Sequence, residues 1–204
     1  MQTLCYTTLM NTFYIARHGE TENNQHGRVS GWIDTPLIDT ALVATQAAIA
    51  KLRNVPFQVL YSSDLGRAFV TAYVIARQLH FTDEIIRMPG LREVNYGEAA
   101  NMKRPEAYKR YVGIDSVTDY TPPGGESLRH MQARVLTTMS DINHKHAHAT
   151  ILIVAHSGVM AALNSSFLGQ DFGGHNISEA YPHDYVARFT VDDGKITSFE
   201  AVTA

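Results

Sequence analysis

Two histidines, two arginines and a glutamate fall at positions from which they could share one reaction. Arg17 and His18 follow the apolar run FYIA at 13–16, Arg67 comes shortly after FQVLY at 57–61, and His156 follows ILIVA at 151–155. Arginine suits phosphate because its planar guanidinium forms paired hydrogen bonds to the oxygens and stays charged. An imidazole nitrogen can attack phosphorus and hold the group as a phosphohistidine. A phosphoryl group in transit spreads charge over its equatorial oxygens, so catalysis is mostly positioning and electrostatic stabilisation. A second imidazole and the guanidiniums can supply that stabilisation without a metal. The leaving alkoxide needs a proton, and Glu93 in LREVNYGE at 91–98 is the candidate acid. The chemistry so assembled is phosphoryl transfer with His18 as nucleophile.

Singly these residues are weak signals, since an Arg-His pair after a strand is usually a surface loop and a lone histidine is usually structural. Their weight comes from the elements that would carry them. FYIA reads as a short buried strand. ALVATQAAIAKL at 41–52 has helical spacing, and Asn54-Val55-Pro56 breaks it. FQVLY is the second strand, with Ser62-Ser63-Asp64 as N-cap residues for a helix over 65–80. A third strand is expected at 85–88. Residues 89–125 contain four of the seven prolines and read as an excursion over the surface. A helix over 126–146 follows, its acidic start favourable near the positive helix end. ILIVA resembles strands buried inside parallel sheets, and a helix begins near Val159. A hairpin pairs 186–191 with 196–202 around Asp192-Asp193-Gly194. This alternation predicts an α/β fold, a three-layer α/β/α sandwich about a mostly parallel central sheet. Ligands bind such sheets outside the carboxyl ends of the strands, where the candidate residues fall.

The 204 residues suit one domain over 1–204, and 45% hydrophobic with 18% charged residues is ordinary for a globular chain. A net charge of −3 gives no support for nucleic-acid or anionic-membrane binding. The longest aliphatic run, 151–155, is far too short to span a bilayer. Cys5 is the only cysteine, which excludes an intrachain disulfide and points to a cytoplasmic setting. Residues 1–11 lack the basic start and apolar stretch of a secretory signal and read as an N-terminal extension, with Met10 the expected natural start.

RHGETENN (17–24), VSGWIDTPL (29–37), YSSDLGRAFVTA (61–72), LREVNYGE (91–98), PGGES (123–127) and VAHSG (154–158) together resemble the blocks of the histidine phosphatase superfamily, in its phosphoglycerate mutase-like branch. RHG alone would be a weak match, but blocks in family order across 13–168 are specific. The resemblance implies a phosphoglycerate mutase-like fold, with His18 as nucleophile, His156 as second catalytic histidine, Arg17 and Arg67 as pocket arginines and Glu93 as proton donor. It further implies substrate contacts from Asn24, Ser30, Gly31, Tyr96, Arg104 and Ser157. The chain departs from the family at Asn23, where tryptophan is frequent. The stretch after Pro36-Leu37 is also longer than usual and lacks a glycine, which puts the start of the 41–52 helix in question.

The family contains hydrolases, which pass the phosphoryl group to water, and mutases, which return it to a sugar-acid hydroxyl. Mutases carry a long insertion between the glutamate and Glu-Ser blocks, with an arginine pair. Here only 98–125 intervene, without adjacent arginines. The expected function is therefore hydrolysis of small phosphomonoesters through a phosphohistidine. The alternatives are a cofactor-dependent phosphoglycerate mutase and, further off, a phosphate-ester binding module without turnover. Lys103, Arg104, Lys109 and Arg110 are the substrate-contact candidates in that stretch, the last two better read as solvated charges. The expected partner is a small phosphomonoester, with a homodimer left open. No cofactor is expected, save 2,3-bisphosphoglycerate under the mutase alternative. His144, His146 and His148 do not make a metal site: on a helix only His144 and His148 share a face, and no carboxylate partners them. His26 and Arg28 are near enough to His18 in sequence to line the site, and His175 and His183 are candidates for its rim.

Overall fold

The apolar run at 13–16 is the centre of a longer strand. In a computed structural model that describes residues 10–110, 116–172, 180–192 and 194–203, β1 spans Asn11–Arg17, β2 Val59–Ser63 and β3 Ile85–Met88. They are joined by β4 (Thr150–Ala155), β5 (Val186–Asp192) and β6 (Lys195–Ala201) in one sheet of order β3-β2-β4-β1-β5-β6. The first four strands pair in parallel, whereas β5 runs antiparallel to β1 and β6. The sheet is mostly parallel with a C-terminal hairpin, as expected; Asp193 of its turn lies outside the described residues.

The helices are α1 (Glu22–Gln25), α2 (Ala41–Leu52), α3 (Gly66–Gln78), α4 (Arg104–Lys109), α5 (Leu128–Lys145) and α6 (Ser157–Leu168). Successive strand residues face opposite sides of a sheet, so a strand covered on both faces must be apolar throughout. β4 meets this demand. Its Ile151, Ile153 and Ala155 pack with Met131 and Val135 of α5 and with Val159 and Leu163 of α6. Its Leu152 and Val154 pack with Ile49 and Leu52 of α2 and with Ala72 and Ile75 of α3. The three layers follow from these two clusters.

Several element starts differ from expectation. β2 begins at Val59 and ends at Ser63, because Phe57 packs edge-on against Tyr14, ring centroids 5.4 Å apart, ahead of the ladder. Ser62 and Ser63 are therefore buried strand residues and not helix caps. α3 starts at Gly66 without a local side-chain cap. Its end is satisfied instead by Asp34 from a distant loop, which accepts from the Gly66 and Arg67 N–H groups at 2.5 and 3.4 Å, a type of contact worth about 1 kcal/mol. α5 starts at Leu128 behind the N-cap Ser127. Glu126, expected in its first turn, accepts from Asn95 N–H and pairs with Arg134. α6 starts at Ser157 and not Val159. α2 begins at Ala41, its expected position.

The extension expected over 1–11 stops short of Asn11, which is a buried part of β1. Its amide donates to the Asn143 and His146 carbonyls and accepts from Ala149 N–H, tying the strand to the end of α5. Residues 1–9 lie outside the described residues. The excursion after β3 is more than a surface loop: Ala99 and Ala107 pack with Val29 in a small third core cluster. That packing raises one wall of the cleft. Among the described residues, no helix is long and apolar enough to cross a membrane.

Candidate active site

β1 and β4 are parallel neighbours with Arg17 opposite Ala155. The next residue on each chain is a histidine, so His18 and His156 emerge side by side, ring centroids 5.1 Å apart. Arg67 reaches the same place from the first turn of α3. Exposure is 4% for Arg17 and His18, 3% for Arg67 and 0% for His156, and this burial governs their charge. It pushes His18 well below the ordinary imidazole range, with Arg67, His156 and Arg17 adding to the effect. His156 is lowered in the same way by burial, then by Arg67 and Arg17. Both rings are neutral near pH 7. Burial also pushes Arg17 down to about 10, with Glu93 opposing the shift and Arg104 and Arg67 adding to it. Arg67 is lowered by burial against the pull of Glu93 and Asp34. Arginine starts so high that both remain charged.

The hydrogen bonds orient these groups. His18 Nδ1–H donates to the Gly19 carbonyl at 2.7 Å, which in a neutral ring leaves the lone pair on Nε2. His156 Nε2 lies 2.9 Å from Ser63 Oγ. His156 Nδ1 and Ser30 Oγ are buried with no hydrogen-bond partner among the described residues. Orphaned polar atoms at such depth cost roughly 1–3 kcal/mol each, so they mark places where a ligand would complete the bonding. Arg67 is held by the carbonyls of Gly31 at 2.7 Å and Ile33 at 3.1 Å and by Asp34 at 3.3 Å. Arg17 Nη1 donates to the Tyr181 carbonyl at 2.6 Å. Gly31 has φ +55°, and a Cβ there would press on Val94 O and Tyr96 N at 3.0 and 3.1 Å. Only glycine brings its carbonyl to Arg67 in that conformation.

Glu93 sits across the N-terminus of α6. Its carboxylate accepts from Val94 N–H at 3.0 Å, Gly158 N–H at 3.2 Å and Ser157 Oγ at 3.4 Å, a helix end that favours negative charge. Its main chain is pinned as well, the carbonyl accepting from Trp32 Nε1 at 2.8 Å and Arg134 Nη2 at 3.3 Å. Gly158 matters here for want of a side chain, because a Cβ would collide with the Glu93 carboxylate. The displaced atoms are the tip of a flexible chain, and alanine is the better helix former by about 1 kcal/mol. Gly158→Ala is thus expected to keep its melting temperature while kcat on an alkyl phosphate falls about 10- to 100-fold, as small misplacements do. Unchanged kcat would show that the position of the carboxylate is immaterial.

Arg17, His18, Arg67 and Glu93 line one cleft, and so do the expected substrate contacts Asn24, Ser30, Gly31, Tyr96, Arg104 and Ser157. His156 is fully buried beside His18. Arg28 lines the cleft, whereas His26, Lys109 and Arg110 are exposed and do not. His175 lies outside the described residues. His183 comes beside His18, ring centroids 5.4 Å apart. Sequence reasoning passes over Asp34, Trp32 and Arg134. The first two stand within the GWIDTPL stretch, the only signal for them, while Arg134 reads as a solvated helix charge. His144 turns to the Ser140 carbonyl and His146 to the Tyr61 hydroxyl. No group of three His, Cys, Asp or Glu among the described residues is placed to hold a metal ion.

A doubly wound sheet that sets an uncharged, lone-pair-bearing imidazole among buried guanidiniums defines a class of phosphate-handling proteins centred on a histidine. The chain belongs to the histidine phosphatase superfamily (branch 1), whose sequence model matches residues 13–199. It is 33% identical over 157 residues to a metal-independent phosphoserine phosphatase of Arabidopsis thaliana, a match covering 73% of this chain and 65% of that protein's length. It is 34% identical over 165 residues to a 2,3-bisphosphoglycerate-dependent phosphoglycerate mutase of Bartonella henselae, covering 74% of this chain and 79% of the relative. Among solved structures, Bacillus stearothermophilus YhfR is similar with a TM-score of 0.78 at 26% identity, covering 91% of this chain and 94% of that one.

Proposed function

We propose that this chain is a phosphatase that hydrolyses small phosphomonoesters through a phosphohistidine at His18 Nε2. The observation that carries the reading is the neutral His18 ring, its Nδ1–H bound to Gly19 and its Nε2 lone pair left free beside Arg17 and Arg67. In the first step Nε2 attacks phosphorus while the ester P–O bond breaks. Glu93, whose carboxylate takes up a proton as the phosphate dianion binds beside it, gives that proton to the departing alkoxide. Water then attacks the phosphohistidine, Glu93 takes back a proton, and inorganic phosphate leaves. Arg17 and Arg67 hold the equatorial oxygens. With Ser63 Oγ–H donating a hydrogen bond to His156 Nε2, the one proton of the neutral ring sits on Nδ1, a donor for the phosphoryl group. Ser30 Oγ is a second such donor. These groups supply the charge and hydrogen bonds that the transition state needs, so the proposal includes no metal or cofactor. The single cysteine supports a reducing, cytoplasmic setting.

Substrate choice belongs to the outer cleft. Four guanidiniums, those of Arg17, Arg28, Arg67 and Arg104, line it against one carboxylate. This excess exceeds what a phosphate dianion cancels, and favours a phosphomonoester with a second anionic group. Asn24, Gly31, Tyr96 and Ser157 complete the proposed contacts. The Arg104 side chain is half-buried and has no hydrogen bond or ion pair among the described residues. That cation also supports the mutase reading, in which 2,3-bisphosphoglycerate would prime His18. A phosphate-release screen over phosphorylated metabolites, beside a 3-phosphoglycerate isomerisation assay with and without 2,3-bisphosphoglycerate, separates the two. Net phosphate release is the expected result; fast isomerisation with slow release would replace the phosphatase by the mutase.

A further inference from the structure

The peptide unit between His18 and Gly19 is clamped at both polar ends by side chains from opposite parts of the fold. Its N–H donates to Thr71 Oγ1 on α3 at 3.0 Å. Its carbonyl, that of His18, accepts from His183 Nδ1–H at 2.7 Å. The carbonyl that orients the His18 ring is the next one along, Gly19 O. Rotation of the clamped peptide would therefore carry the ring's own anchor with it.

The segment bearing His183 is itself tied down. Tyr181 O accepts from Arg17 Nη1 and Tyr185 O from Arg17 N–H. Tyr185 N–H closes a turn on Pro182 O, and Asp184 O accepts from Lys51 Nζ. Asn164 donates to the Tyr181 hydroxyl. One short stretch thus braces both residues of the Arg17-His18 pair. We infer that His183 is a positioning residue for the nucleophile, holding the His18–Gly19 peptide through its Nδ1–H so that His18 Nε2 keeps its line to phosphorus.

The role uses one ring nitrogen as a donor and requires no charge. Burial, then Arg17 and Arg104, push His183 down to about 4, against its bond to His18 and the nearby Asp184. The ring is thus a neutral donor near pH 7 and adds no cation beside His18. An asparagine amide nitrogen occupies about the place of histidine Nδ1, whereas a glutamine amide nitrogen occupies about the place of Nε2. The pair of variants His183→Asn and His183→Gln therefore isolates the bond from the bulk of the side chain.

The inference rests on the phosphohistidine reading, so the experiment measures labelling and rate separately. Rapid-quench mixing with p-nitrophenyl phosphate gives the rate of phosphoenzyme formation, and acid lability identifies the phosphohistidine. His183→Asn is expected to stay within about threefold of the wild type. His183→Gln and His183→Ala are expected to form phosphoenzyme about tenfold more slowly, a typical cost of modest misplacement, with KM changed by less than about twofold. Equal rates in the Asn and Gln variants, or a better Gln variant, would overturn the inference. Absence of acid-labile label in the wild type would overturn the phosphohistidine reading instead.

Discussion

Replacing His18 with alanine is expected to lower kcat by about ten-thousand-fold or more, as removal of an enzyme's nucleophile does, and to leave no phosphoryl group on the chain. The neighbouring imidazoles cannot substitute. His156 is wholly buried, with Nε2 engaged by Ser63 Oγ and the ring proton of the proposed tautomer on Nδ1, so neither nitrogen has a lone pair to offer. His183 spends its Nδ1–H on the His18 carbonyl. A denaturing quench with labelled substrate checks this: His18→Ala stays unlabelled, while His156→Ala labels slowly. Label retained by His18→Ala would remove it from the nucleophile's role. The charge state of His18 adds a second expectation. A lowered pKa means the ring takes up its proton only at a pH well below the usual imidazole range. The neutral fraction of His18 in the wild type therefore holds as pH falls from 7 to 6, whereas an ordinary histidine, with a pKa of about 6.5, would lose about two thirds of its neutral form and of its labelling rate.

The chemistry-bearing residues are legible in the sequence because strand ends are. β1 and β4 announce themselves as apolar runs, and whatever follows a parallel strand lies at the sheet's binding edge. α2 is legible residue by residue, since its ends coincide with its apolar spacing. The errors gather where a partner distant in sequence decides the outcome. Ser62-Ser63-Asp64 has the composition of a helix cap, but pairing of Ser62 with Val154 of β4 draws it into the sheet, and Asp34 caps α3 from another loop. Glu126 has the composition of a helix start, but Arg134 and the Asn95 N–H claim its carboxylate. The same limit applies at the site. His18, Arg67 and Glu93 can be named from residue type and local context. The groups that aim them, Gly31 and Asp34 for Arg67, Trp32 and Arg134 for Glu93, His183 for His18, act across folded contacts that no local pattern encodes.

Glu93→Gln is expected to divide substrates by their leaving groups. Protonation by a placed acid typically contributes about 10²- to 10⁴-fold, and an alkoxide needs all of it. A nitrophenolate leaves readily without a proton. On an alkyl phosphate such as phosphoserine, kcat is expected to fall about 100- to 1,000-fold, and on p-nitrophenyl phosphate by less than about tenfold. A second signature follows from electrostatics. The Glu93 carboxylate offsets the cations at Arg17 and Arg67, so its loss leaves a more positive cleft, and KM for both dianionic substrates is expected to drop. Falling kcat with falling KM marks a group that opposes ground-state binding yet serves the transition state. The amide keeps nearly the shape of the carboxylate but can accept with only one oxygen. One of the Val94 and Gly158 N–H donors therefore loses its partner, at a cost of about 1–3 kcal/mol in stability, and melting curves record that cost separately from the rate. Gly158→Ala moves the same carboxylate without removing its charge. It is expected to reproduce the leaving-group split without the drop in KM. Equal losses on both substrates in Glu93→Gln would take Glu93 out of the acid's role and leave it a purely electrostatic one beside the arginines.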